Sequence, residues 1–187
     1  FYDDALLVDT ECHALPLFKR IVALGLGVRF HTPNAIHIRE ITDESAEWMA
    51  AAGFHTLRLG LETTAFESRR HLDRKVTEAE FLRAVGCLKR AGFRKSQVGA
   101  YLLAGLPGQS LAAVFESIDL VNASGITPIP AYYSPIPGTR LWPEACAASR
   151  YDLAADPVFT NNAVFPCRPE GFSWEILTAI RDRVRAV

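Results

Sequence analysis

The sequence holds one methionine, Met49, and no apolar run approaching the ~18 residues of a membrane-spanning helix. Its first twenty residues include Asp3, Asp4, Asp9, Glu11, Lys19 and Arg20, so they lack the uninterrupted apolar core of a secretory signal. A soluble, cytoplasmic protein with no membrane partner is the expectation. Charge of one sign is also missing. The 20 Lys and Arg stand against 21 Asp and Glu, and a formal net charge of −1 gives nucleic acid no support as a partner. Cysteine is sparse and scattered: Cys12, Cys87, Cys146 and Cys167 form no CxxC or CxxxC pair, so no zinc knuckle or iron–sulfur loop is written locally and no metal ligand is predicted in this chain. The sequence has no HExxH, no GxSxG and no GxxxxGK followed by Ser or Thr, which removes the signatures of zinc proteolysis, α/β-hydrolase chemistry and P-loop nucleotide hydrolysis. Gly25-Leu26-Gly27 lacks a third glycine and closes a predicted helix rather than following a strand, so a dinucleotide-binding fold has little support.

What is present is a chain of 187 residues, 49% hydrophobic, long enough to bury a sizeable core. Position 1 is Phe, inside an apolar-acidic string, which predicts a piece of a larger protein with the missing N-terminal part as its first partner. Four segments end in a small residue and a glycine, followed by an apolar run, a repeated α-to-β joint. The first predicted helix follows Thr10, sets Leu15, Phe18, Ile21 and Val22 on one face, and ends at Gly25 or Gly27 before the strand Val28-Arg29-Phe30-His31. Thr42 caps the second, which stops at Gly53 before a strand over 56–61. Thr77 and Glu80 form a capping box for the third, which carries Phe81, Leu82, Val85 and Leu88 and stops at Gly92 before a strand over 98–103. Ser110 caps the fourth, and Gly125 ends it before 126–133. With Phe1-Tyr2-Asp3 as the tail of another strand, strict β/α alternation predicts a parallel sheet covered by helices. Past Thr139, Pro143, Pro157, Pro166 and Pro169 mark an irregular connection, and Ser173 caps a last helix with Ile176, Leu177, Ile180 and Val184 inward.

In such architectures ligands gather at the carboxyl ends of strands. Asp3 and Asp4 end the first, where adjacent carboxylates alternate faces and one can reach a ligand, with turn capping as the competing role. His31-Thr32-Pro33-Asn34 ends the second. Glu62 ends the third, beside Gly60, whose missing side chain marks a close approach; an ion pair with Arg58, Arg69 or Arg70 is the alternative. Gly105, Leu106 and Pro107 end the fourth in a tight turn whose backbone groups suit the edge of a flat ring, or serve simply as a strand-to-helix turn. Tyr133 and Ser134 open an aromatic, proline-stiffened loop after the fifth.

The series FYDDALL, FHTPNAIHIREIT, GFHTLRLGLET, VGAYLLAGLPGQ and YYSPIPGT resembles the radical S-adenosylmethionine enzymes, above all the subgroup that often carries an upstream cobalamin-binding domain. The resemblance covers residues 1 to about 140 and implies an α/β fold: a partial (β/α) TIM-like barrel, here strands two to six without the first. Residues 141–187 are then an extension ending in a helix. It implies that Asp3 and Asp4 contact the amino group of S-adenosylmethionine, that Glu62 contacts its ribose, that Gly105, Leu106 and Pro107 line its adenine, and that Tyr133 and Ser134 wall the site. It implies a 4Fe-4S cluster whose CxxxCxxC ligands lie outside this chain, and, for the subgroup named, cobalamin bound by an upstream domain. The full-length protein would cleave S-adenosylmethionine reductively to start radical chemistry on an unknown substrate. The alternative is a cluster-free barrel that binds a ligand or partner. A missing first strand also predicts that Phe1 to Leu7 form an open edge prone to self-association.

Overall fold

The computed structural model describes residues 1–3, 5–66, 76–167 and 173–185. Asp4, Arg69 and Arg70 therefore lie outside the described residues. In chain order the main elements are α1 (Ala14–Leu24), β1 (Phe30–His31), α2 (Asp43–Ala51), β2 (Phe54–Glu62), α3 (Glu78–Arg90), β3 (Val98–Ala104), α4 (Leu111–Ala123), β4 (Thr127–Tyr132), α5 (Trp142–Ala148) and α6 (Trp174–Arg185). The four strands form one sheet in the order β1-β2-β3-β4, the parallel α/β arrangement of a partial TIM-like barrel. The chain divides into two compact units, one made of Phe1–Tyr101 and Leu120–Ile129, the other of Leu102–Asp119 and Pro130–Val187. No helix among the described residues is long and apolar enough to cross a membrane.

In the first unit, local chemistry sets the helix ends. The Thr42 hydroxyl accepts from Ser45 N–H at 3.1 Å, and Thr77 and Glu80 exchange the reciprocal bonds of a capping box at 3.2 and 2.7 Å. Gly25 closes α1 in the left-handed conformation. Leu57, Leu59 and Leu61 on β2 are fully buried, together with Phe18, Met49, Phe81 and Leu88 from the helices. Each such side chain contributes roughly 1.5–3 kcal/mol relative to exposure. The intervening residues Arg58, Gly60 and Glu62 share the opposite face of β2, because side chains alternate along a strand.

Several expectations change here. Phe1, Tyr2 and Asp3 are not a strand, and residues 5–13 run as turns, with Leu6 and Leu7 buried as core residues instead of a ladder edge. The Phe1 ring stacks on Phe54 at 5.4 Å, and the terminal ammonium donates to the His31 carbonyl at 2.7 Å; ring packing and one bond hold this segment in place of a ladder. The premise of an open edge along Phe1 to Leu7 therefore fails. Helix α1 begins at Ala14 rather than just past Thr10, and its Val22 is exposed. Val28 and Arg29 fall outside β1. The strand end at His31-Thr32-Pro33-Asn34 proves to be an interruption, since Thr32 N–H still donates to Thr56 O at 3.0 Å and Ile36 pairs again with Leu59. Buried Thr32 bridges the irregularity by accepting from Arg58 N–H at 3.2 Å through its hydroxyl.

In the second unit, Ser110 caps α4 by accepting from Ala113 N–H at 3.1 Å. Leu177 and Ile180 are the buried residues of α6, and the chain between α5 and α6 holds two short 3₁₀ turns, the irregular connection that the prolines predict.

Candidate functional site

The candidate residues fall in both units and are taken in turn. In the first unit, Asp3 is used locally: its Oδ1 accepts from Ala5 N–H at 2.8 Å, and His13 Nε2 stands 4.0 Å from Oδ2. That is the turn-capping geometry, at half-buried carboxylate oxygens. Glu62 is the last residue of β2 and one of three non-glycine described residues with positive φ, at +66°. A non-glycine residue in that region carries about 1–3 kcal/mol of local strain and persists where its surroundings over-determine it. Glu62 lines a cleft of about 400 Å³ with Val8, residues 35 to 40, Gly60 and Val76. A Cβ on Gly60 would stand 3.2 Å from the Ala35 side chain, so the segment that interrupts the β1–β2 ladder lies closer to the strand than a side chain at position 60 would allow without a shift of a few tenths of an ångström.

In the second unit, Gly105 leaves β3 at φ +89° and starts the turn into α4. Its N–H and that of Leu106 both donate to Gln109 Oε1, at 2.8 and 3.2 Å, while Gln109 Nε2 donates to the Leu103 carbonyl at 3.0 Å. Gln109 thus closes the turn from inside, and two backbone donors that looked available from sequence are already bonded. Phe165, itself at positive φ and buried, packs edge-on against Tyr132 and lies 3.4 Å from where a Gly105 Cβ would be. Pro107 is half-buried and Gly108 turns the chain at φ +68° before Ser110. Tyr133 N–H donates to Ala104 O at 2.9 Å, continuing the β3–β4 pairing by one residue, and its ring packs on a cluster of Ala145, Leu153 and Cys167. Ser134 is half-buried beside it. Burial pushes the Cys167 thiol up to about 11, helped by Cys146, and raises the Tyr133 phenol, with smaller contributions from Cys167 and Glu144. The Cys167 thiol therefore stays protonated at neutral pH, as a packing group does.

A parallel sheet in chain order, with a carboxylate and a glycine turn at successive strand ends, can be compared with solved structures. The radical S-adenosylmethionine methyltransferase TsrM from Kitasatospora setae, solved with cobalamin and a 4Fe-4S cluster, matches with a TM-score of 0.59 at 19% identity, over 78% of this chain and 30% of that one. This chain shares the fold of that structure over the matched region. Coproporphyrinogen III oxidase (HemN) from Escherichia coli, a radical S-adenosylmethionine enzyme, gives a TM-score of 0.56 at 17% identity, over 70% of this chain and 31% of that one. The chain thus spans under a third of the length of either structure. No family model and no curated protein matches the sequence.

Among the described residues no group of three or more His, Cys, Asp or Glu could hold a metal ion; Cys12 and Cys146 are exposed while Cys87 and Cys167 are buried. The described residues do not fit a cluster. Sequence reasoning missed Gln109, although a Gln four residues past a strand-ending Gly and just before a helix cap is a recognisable turn-closing position. It also missed Phe165 as a neighbour of Gly105, because nothing local marks it.

Gln109→Ala leaves the Gly105 and Leu106 N–H groups and the Leu103 carbonyl without their partner. At partly exposed groups this should lower stability by about 1–2 kcal/mol, measured by thermal denaturation. An unchanged melting curve would show that solvent replaces Gln109 without cost.

Proposed function

We propose that this chain is the part of a radical S-adenosylmethionine enzyme that contacts the cofactor, and that the whole protein cleaves S-adenosylmethionine reductively to begin radical chemistry on its substrate. Under this reading the cluster ligands belong to another segment of the same protein, and a cobalamin-binding domain upstream fits the likeness to TsrM. In the first unit, Glu62 takes the ribose hydroxyls, with Asp3 and Asp4 toward the amino group. In the second, Gly105, Leu106 and Pro107 take the adenine, and Tyr133 and Ser134 flank it. With both N–H groups bonded to Gln109 Oε1 and the Leu106 carbonyl accepting from Gln109 N–H, the Gly105 carbonyl is the natural acceptor for an exocyclic amine.

The observation that carries the reading is Glu62: a carboxylate at a strand end, held at positive φ, with Gly60 beside it and a cleft in front of it. Strain at a polar residue facing a cleft is the pattern of a functional position. Hydrogen bonds to a charged group are worth roughly 1.5–3 kcal/mol, so Glu62→Ala in the whole protein should weaken S-adenosylmethionine binding about ten- to hundredfold. Glu62→Gln keeps an acceptor oxygen and should lose less. Calorimetric titration beside a melting curve for each variant tests this. Unchanged affinity with a lowered melting temperature would make Glu62 an ion-pair partner and favour a barrel that binds some other ligand or partner.

A further inference from the structure

The face of β2 that carries Glu62 holds a second polar group that the reading above does not use. Arg58 lies on the Glu62 face, opposite the three buried leucines. Its guanidinium extends over β3: a Cβ on Gly99 would stand 3.4 Å from Arg58 Nη1 and 2.3 Å from Cδ1 of Ile129 on β4. Gly99 is fully buried, so its missing side chain makes the space in which the guanidinium and Ile129 meet. Two positions on from Gly99, and hence on the same face, Tyr101 reaches past β2 to donate its phenol hydrogen to the Pro33 carbonyl at 2.9 Å. Gly99 and Ile129 thus stand beside the guanidinium, and Tyr101 shares the strand face of Gly99.

Arg58 is half-buried, yet its side chain makes one hydrogen bond, from Nη1 to the carbonyl of its own neighbour Leu57 at 3.0 Å. Among the described residues no carboxylate stands within ion-pair distance of it, and the other N–H groups of its fork meet no protein acceptor. Two other arginines of the first unit do have carboxylate partners, Arg90 with Asp43 at 2.6 Å and Arg39 with Glu80 at 3.2 Å. A partly desolvated guanidinium is costly without an anion, and its planar fork suits two oxygens of one carboxylate or phosphate. A lysine-like role in solubility does not explain a side chain laid over a glycine inside the sheet face.

We infer that Arg58 is an anion-binding residue, and that the ligand its fork takes is a carboxylate- or phosphate-bearing substrate. The binding site stands whether or not the chain binds S-adenosylmethionine; that the anion belongs to the substrate rests on the proposed function. Arg58 and Glu62 are four residues apart on one strand face, about 13 Å at the rise of a β-strand. That separation lets the two side chains serve different ligands.

The test uses the chain as it is, labelled with ¹⁵N, and follows the Arg58 Nε–Hε resonance during titration with inorganic phosphate, with chloride at matched ionic strength as the control. Arg58→Gln assigns the resonance by its disappearance. A saturable shift with phosphate and not with chloride is expected, and succinate in a parallel titration shows whether carboxylate serves as well. Phosphate affinity should fall about tenfold or more in Arg58→Gln, the loss of one charge-assisted contact. Arg58→Lys should keep part of it, and it serves as the readout if the Gln variant fails to fold by circular dichroism. An Arg58 resonance indifferent to both anions, or equal phosphate affinity in the parent and a folded Gln variant, overturns the site. S-adenosylmethionine displacing phosphate from Arg58 overturns the assignment to the substrate while leaving the test at Glu62 intact.

Discussion

Phe18→Ala is expected to lower the unfolding free energy by about 3–5 kcal/mol, the range for removing a fully buried aromatic ring. Phe18 on α1 is completely inaccessible and meets Phe54 edge-on, with centroids 5.2 Å apart. Phe54 in turn stacks on Phe1 and tilts against Phe30. Its truncation therefore leaves a cavity at the point where helix, first strand and N-terminal segment share one aromatic cluster. Ordinary domains hold only about 5–15 kcal/mol in total, so this single change should bring the first unit close to unfolding. Val22→Ala on the same helix, where the side chain is exposed, should stay within about 0.5 kcal/mol and controls for helix propensity. Urea denaturation followed by circular dichroism measures both. A shift under about 1 kcal/mol for Phe18→Ala would mean that the cluster collapses to refill the space.

Gly53→Ala should be nearly as damaging, although it adds only a methyl group. Gly53 sits at φ +88° after α2, where its N–H closes the helix on Ala50 O at 3.1 Å. The backbone conformation alone costs a non-glycine residue about 1–3 kcal/mol. The added Cβ would also lie 2.7 Å from the carbonyl oxygen of Val28, a backbone atom that cannot rotate away. Relief requires moving the segment that enters β1, which threatens the bond from Phe30 N–H to Gly53 O at 2.9 Å, the first of the β1–β2 pairing. That bond adds on the order of another 1 kcal/mol. Gly108→Ala, at φ +68° with open space around it, tests the conformational cost without the clash. The two variants compared by thermal melting separate strain from collision, and equal losses would remove the Val28 contact from the explanation.

The helices were legible because their signals are short-range. Thr42, Thr77 and Ser110 each cap the helix that follows through a side chain bonded three residues ahead, so the residues that decide these ends are neighbours in sequence. The buried leucines of β2 follow the same logic at a period of two, and Gly60 beside Glu62 announced a close approach that the Ala35 side chain makes. The alternation of these elements was enough to predict a parallel sheet, while the partial (β/α) barrel was what the family resemblance implied. The N-terminal segment was misjudged as a strand since Phe1-Tyr2-Asp3 has strand-like residues; a ladder needs a partner in register, and ring stacking on Phe54 serves instead.

What tertiary structure alone decided is which groups remain available. Gly105 and Leu106 looked like open donors until Gln109 was found on both, and a buried Phe165 came to lie against Gly105 from sixty residues along the chain. Tyr101 finds Pro33 across a separation of 68 residues, and Arg58, Gly99 and Ile129 meet only because three strands are in one particular register. Capping and periodicity are settled within a turn or two of chain, where the energies depend on adjacent residues. The filling of a niche depends on the register between distant segments, and a slip of one residue would send each of these side chains to the opposite face of the sheet.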